Sequence, residues 1–387
     1  MQQATDVETR RPQPNYKNKG ATGGRKGKRM QPKLNILIMG ASYGSLLGTK
    51  LSLAGHATHL ICLPAEADLM NTVGAIVRMP VKGREGLVEI NSKTLPGKLT
   101  AGGPDGVDPA SYDMVVLAMQ EPQYRQPGVR ELLDRVAKAK VACMSIMNMP
   151  PLPYLKRIPG LDADRCRDCY TDPTVWDSFD ARFMTLCSPD PQAFRPPDEK
   201  VNVLQVRLPT NFKSARFQDD THTQMLRRLE ADVEASRLEV DGRSIELPVK
   251  IKVHDSVFVP LAKWSMLLSG NYRCVQKDGM RSIKEAVHSD PETSRAVYDW
   301  VKQLCISLGA DTKDLVPFEK YAQAALSLQT PSSAARALSN GVPNIERVDR
   351  LVQTIGARRG LRNEVIDQTV RLVDGWVEAN RRKAKAS

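Results

Sequence analysis

The stretch LNILIMG, Leu34 to Gly40, is a near-continuous apolar run. Such a run predicts a strand buried on both faces, because a half-exposed strand alternates apolar with polar residues. It leads directly into Gly40-Ala41-Ser42-Tyr43-Gly44-Ser45, then a helical pattern from Leu46 to Leu53 that closes at Ala54-Gly55. A second strand is predicted over Ala57 to Leu63, a third over Met114 to Met119 and a fourth over Val141 to Asn148. An amphipathic helix over Arg130 to Lys138 separates the last two. Strands that alternate with helices point to a parallel sheet covered on both faces.

Prolines 150, 151, 153 and 159 then interrupt regular structure. The strand pattern returns over Val201 to Leu208, and a helix is expected over Thr221 to Leu238. Beyond Lys252 the period changes to that of helices: Val257–Leu268, Pro291–Leu308, Pro317–Leu328, Ile345–Arg359 and Glu364–Ala379. The fold class expected is therefore α/β, an N-terminal Rossmann domain with a parallel-rich sheet followed by an all-helical C-terminal domain. The expected boundaries are a basic disordered tail over 1–31, the Rossmann domain with an extended middle region over 32–250, the helical domain over 251–377 and a basic tail over 378–387.

Charge changes this picture little. The net charge of +12 is concentrated at the ends, with nine Lys and Arg against Asp6 and Glu8 in the first 33 residues and Arg381, Arg382, Lys383 and Lys385 near the C-terminus. The body between them is close to neutral, and no nucleic-acid reading motif accompanies the charge, so no nucleic-acid partner is expected. No run of eighteen apolar residues exists, which argues against a membrane span. Seven cysteines, an odd number in a long chain, argue against a disulfide framework. Cys166 and Cys169 form a lone CxxC without a second pair, so ordinary thiols are expected and no metal site. A cytoplasmic location follows from the lack of an export signal and from the free cysteines.

The turn after the first strand carries the first chemical signal. Glycines there let the backbone approach a pyrophosphate, whose charge is met by amides at the helix N-terminus. Against the pattern GxGxxG, Gly40 fits the first position, Ser42 stands at the second, and Gly44 fits the third only in a shortened turn. The end of the second strand would normally distinguish NAD from NADP, through an acid for the ribose or an Arg for the 2′-phosphate. Leu63-Pro64-Ala65-Glu66 offers neither cleanly, so the coenzyme choice stays open.

From about Leu34 to Val373 the chain resembles the 2-dehydropantoate 2-reductase (ketopantoate reductase) family. That resemblance implies a Rossmann domain, a helical domain, a cleft between them, and hydride transfer from NADPH to a 2-keto acid. The family's glycine turn falls on Gly40, Ser42 and Gly44; its strand-end Asn-Gly falls on Asn148-Met149 in SIMNMP. Its phosphate- or substrate-contacting lysine falls on Gln120, and its NADP-reading Arg on Leu63. Its helix motif W-x-K-L-x-x-N, with a later Asn, matches Leu261 to Asn271. Lys263 stands at the catalytic lysine and Asn271 at the later Asn, while Leu267 replaces the first Asn. The family's serine pair matches Ser332-Ser333, with Ser333 at the carboxylate-binding position. Its glutamate falls on Ile345 or, with a one-residue insertion, on Glu346; an additional Asp falls on Ala337.

The resemblance thus implies Lys263, Glu346 and Asn148 as catalytic residues and Asn271 and Ser333 as substrate-binding residues. It implies Gly40, Ser42, Gly44, Gln120 and Asn148 around NADP, with NAD the alternative. The insert between Tyr154 and Lys200 exceeds the family norm and suggests a different, larger small-molecule substrate. Apolar Leu261 and Leu267 beside Lys263 would lower its pKa by desolvation. Two other readings stand beside this one: an opine-type dehydrogenase that reduces an imine, for which His254 and His288 are weak acid/base candidates, and a non-catalytic nucleotide-binding protein. The apolar pattern of Ile345–Arg359 would allow a homodimer.

Overall fold

The computed structural model describes residues 32–386; the basic segment expected over 1–31 lies outside the described residues. Strand β1 (Asn35–Met39) emerges where the apolar run predicts it, with Ile36 through Met39 wholly buried. It feeds helix α1 (Ser42–Leu53), then β2 (Ala57–Ile61) and α2 (Pro64–Thr72). Next come an antiparallel pair, β3 (Ile76–Pro80) and β4 (Leu87–Asn91), then β5 (Leu99–Gly102) and β6 (Met114–Leu117). Helix α3 (Val129–Ala139), strand β7 (Ala142–Ile146) and the single turn α4 (Leu152–Leu155) follow.

The extended middle region is threaded through two sheets. It supplies β8 (Met184–Ser188), β9 (Gln192–Phe194), β10 (Val203–Leu208) and β11 (Phe212–Ala215). Helix α5 (Asp220–Ala235), the hairpin β12 (Leu238–Val240) and β13 (Arg243–Ile245), and β14 (Ile251–His254) complete it. The main sheet has the order β14-β11-β8-β7-β6-β1-β2-β5, and β3, β4, β9 and β10 form a second sheet in the order β4-β3-β10-β9. In the main sheet only the β8–β11 pairing is antiparallel. The sheet's last strand lies beyond residue 250, where the change of character was expected. The short strands of this region went unforeseen because three to five residues carry too little periodicity to separate strand from loop.

Helices dominate after His254. A composite helix runs through a 3₁₀ turn (Pro260–Ala262), α6 (Lys263–Met266), a π-helical turn (Leu267–Asn271) and a closing 3₁₀ turn (Tyr272–Cys274). It thus extends past Leu268, the expected end. The wide turn is supported from outside by Tyr321, whose hydroxyl donates to the Met266 carbonyl at 3.1 Å. Then follow α7 (Ile283–His288), α8 (Pro291–Ser307), α9 (Phe318–Ala325), α10 (Ser333–Ser339), α11 (Val348–Arg358) and α12 (Glu364–Ala386). Arg381, Arg382, Lys383 and Lys385 lie on the last turns of α12, because nothing after Gly375 breaks the helix. No helix among the described residues is long and apolar enough to cross a membrane.

The central strands of the sheet serve two cores. Ile36 and Ile38 of β1 pack with α1 and α5 on one face. Leu37 and Met39 join α3 and the helical half, including Leu261, Trp264 and Val348, on the other. The apolar stripe of α11 (Val348, Leu351, Val352 and Ile355) is consumed within this second core, so it is not free to pair two copies of the chain. Gly40 ends β1 with φ +113°, and a Cβ there would sit 2.6 Å from the Ala118 carbonyl oxygen and 2.7 Å from Met119 Cγ. Gly40→Ala should therefore destabilise the fold by roughly 2–4 kcal/mol. A urea midpoint equal to that of the wild type would show that the turn accepts a side chain.

Candidate active site

Two adjoining features occupy the C-terminal ends of the parallel strands, the edge where doubly wound sheets bind ligands. The first is a cavity of about 760 Å³ lined by Gly40, Ala41 and Ser42, by Ile61 to Pro64 after β2, by Gly103 to Asp105 after β5, and by Ala118 and Met119 after β6. Gln123, Gln126, Glu66 and Arg195 also line it. Helix α1 opens onto this cavity with no side-chain cap at Ala41 and no acidic residue in its first turn. Its first amides are thus available to an anion. Ser42 is exposed at the cavity wall, while Gly44 is buried, with a Cβ position 2.9 Å from Ile38 Cγ2. Gly44 therefore acts in helix–sheet packing and Gly40 in the turn. These residues fit a dinucleotide pyrophosphate. Gln120 is exposed and absent from the cavity wall; Gln123, one 3₁₀ turn later, reaches the wall instead.

The second feature is a buried polar cluster. Asn148, just past β7, donates from Nδ2 to Glu346 Oε2 at 3.2 Å. Glu346 is 6 % exposed, and its backbone is pinned by Tyr272 at the end of the composite helix, whose hydroxyl donates to the Glu346 carbonyl at 2.5 Å and accepts from Val348 N–H at 3.1 Å. Lys263 comes from the start of α6. Its Nζ donates to the Pro189 carbonyl at 2.5 Å and lies 3.8 Å from Asp190. Asp190 also meets Lys213 at 3.0 Å. Burial pushes the Lys263 pKa down, while the charges of Asp190 and Glu346 oppose that shift.

Tyr43, inside the glycine turn, donates to the Pro191 carbonyl at 2.9 Å. Burial raises its pKa, reinforced by Asp190 and Glu346. Glu121, buried and accepting from Thr171 N–H at 3.0 Å, adds a negative charge near Glu346. Asn148 and Glu346 thus meet directly, and Lys263 lies near enough for the charge of Glu346 to act on it. Asp190, Tyr43 and Glu121 join them without having been foreseen, and only Tyr43 lay inside a motif.

Other expected residues stand apart. Ser333 is exposed in the first turn of α10. Its neighbour Ser332 caps that helix through Ala335 N–H at 3.2 Å and donates to the Asn271 carbonyl at 2.7 Å. Among the described residues no hydrogen bond joins Ser333 or the Asn271 side chain to Lys263, Glu346 or Asn148. Cys166 and Cys169 are buried free thiols, and burial raises the pKa of both. His288 donates from Nε2 to the Ala322 carbonyl at 2.9 Å, and His254 faces a different cavity beside Lys213 and Lys320.

Glu346 is the electrostatic anomaly of the cluster. Burial raises its pKa from 4.5 to about 7, partly offset by the Asn148 hydrogen bond and reinforced by Glu121. The folded chain therefore holds this proton to about neutrality, whereas the unfolded carboxyl loses it near 4.5. Folding takes up a proton in that window, so stability falls as pH rises through it and stays lowered above pH 7. Glu346→Gln should match the wild type in stability near pH 4 and exceed it by roughly 2–3 kcal/mol near pH 8. Urea melts at both pH values test this, and a constant difference between the two proteins would contradict the raised pKa.

No family model matches the sequence, and no curated protein matches it. Solved structures do. The 2-dehydropantoate 2-reductase from Methylococcus capsulatus superposes with a TM-score of 0.62 at 11% identity, covering 90% of this chain and 98% of that one. A ternary structure of D-mandelate dehydrogenase with NADH and anilino(oxo)acetate gives 0.58 at 11% identity, covering 90% and 99%. The dimeric ketopantoate reductase from Staphylococcus aureus gives 0.55 at 10% identity, covering 90% and 100%. At these identities the likeness is one of fold, and the chain has the fold of the ketopantoate reductases, a Rossmann sheet followed by a helical region.

Proposed function

We propose that this chain is a nicotinamide-nucleotide-dependent reductase acting on a small 2-keto acid or a related carbonyl compound. The observation that carries the reading is the meeting of Asn148 with Glu346, 198 residues apart, beside Lys263 and at the nucleotide-binding edge of the sheet. Likeness of fold to a 2-dehydropantoate 2-reductase and to a D-mandelate dehydrogenase bound to NADH and anilino(oxo)acetate adds support.

A reduced nicotinamide, when bound, supplies the hydride to the carbonyl carbon. The carbonyl oxygen then gains negative charge and requires a proton. Lys263 carries three donors, of which Pro189 takes one and Asp190 draws a second, which leaves one for the substrate oxygen. Desolvation favours release of that proton. Glu346, protonated up to about pH 7 and close enough for its charge to act on Lys263, would restore it. Asn148 Oδ1 is buried without a hydrogen-bond partner, an acceptor that a substrate hydroxyl or a carboxamide N–H would satisfy. Gly40, Ala41, Ser42 and the first amides of α1 would hold the pyrophosphate.

Lys263→Ala should lower turnover with a cognate 2-keto acid by a factor on the order of 10²–10⁴, with dinucleotide affinity nearly unchanged. Single-turnover hydride transfer at an undiminished rate would remove Lys263 from the mechanism.

A further inference from the structure

The cavity has a wall that the glycine turn does not touch. Past β2 the chain passes through Cys62 and Leu63 into α2, and Leu63 is 70% exposed there. This is the place where an acidic residue reads a ribose diol or an arginine reads a ribose 2′-phosphate. Leu63 can do neither, and the charge arrives from a remote part of the chain. Arg195, immediately after β9, lines the same cavity as Leu63, Gly40 and Ser42, and is the one cation among its lining residues.

Glu66, the nearby acid, is already committed. Its Oε2 accepts the Leu63 N–H at 3.1 Å and so caps α2, while its Oε1 pairs with Arg195 Nη1. Turning both oxygens to a ribose diol would uncap the helix and break the ion pair. Arg195 uses Nη1 in that pair, and its side chain remains 31% exposed. A guanidinium has five donors, so donors remain for a ligand in the cavity. Glu66 thus anchors Arg195 rather than reading a sugar. Asp105, the other acid in the wall, comes after β5 and is exposed.

We propose, on the reading that a dinucleotide occupies this cavity, that Arg195 recognises the phosphate on the adenosine 2′ position and makes the site select NADPH over NADH. The specificity residue is then carried by the segment that follows β9 rather than by the end of β2. Strand β9, which leads into Arg195, is preceded by Pro189, Asp190 and Pro191, whose contacts with Lys263 and Tyr43 reach the other end of the site.

Fluorescence titrations of the full chain with NADPH and with NADH test the assignment directly. The wild type should bind NADPH more tightly, and Arg195→Gln should weaken NADPH on the order of 10- to 100-fold while shifting NADH by less than about 3-fold. Arg195→Lys, which keeps the charge but not the planar fork, should fall between them. Glu66→Gln, which preserves the shape of the cap, should leave NADH affinity within about 3-fold. Equal binding of both dinucleotides that R195Q leaves unchanged would overturn the role of Arg195 and leave the nucleotide site standing. Loss of NADH binding in E66Q would make Glu66 the ribose reader and likewise overturn it. If neither dinucleotide binds the folded wild type, the nucleotide site and the Arg195 assignment fall together.

Discussion

Burial of β1 on both faces is the constraint on which everything else depends. Because side chains alternate along a strand, Ile36 and Ile38 must be covered from one side and Leu37 and Met39 from the other. Helices α1 and α5 cover the first face, and α3 with the C-terminal helices covers the second. The helical half is therefore not an appendage. It closes one side of the sheet, and that closure brings Lys263 of α6 and Glu346, which precedes α11, to the sheet's C-terminal edge.

Burial of this kind also sets the chemistry of the polar cluster. Glu346 is buried and Lys263 mostly so, and each is pushed toward its neutral form, the carboxyl upward and the amine downward. Their mutual attraction and the contact with Asp190 resist that push. Such opposed tuning of an acid and a base is what proton transfer near neutral pH requires. It comes at a cost in stability, since Asn148 Oδ1 is buried without a partner.

The insert between Tyr154 and Lys200 has a second consequence. Its prolines and short strands look like a loop-rich excursion, yet β8 joins the main sheet and β9 the small one. The stretch between them, Pro189 to Pro191, contacts both Lys263 and Tyr43. One segment thereby touches the polar cluster and, through Arg195, the cavity at the glycine turn.

The order of elements around the glycine turn and the helical character of the C-terminal half were legible in the residues. These rest on local information: the period of the apolar positions, a turn that demands Gly40, and short motifs. Other features were not legible. Gln120 stands at a motif position but faces solvent, and Ser333 yields to Ser332 as the helix cap. The apolar stripe of α11 reads as a pairing surface but is core. Lys50, a residue normally exposed, is buried in α1 with its ammonium bonded to the Leu247 and Pro248 carbonyls. Arg195 meets Glu66 across 129 residues of chain, and Asp190 meets Lys263 through a segment with no motif. The sequence by itself determined which elements form, because helix and strand follow from periodicities of a few residues. Only the tertiary structure decided which charges face one another, because those contacts depend on how the two faces of one buried sheet are covered.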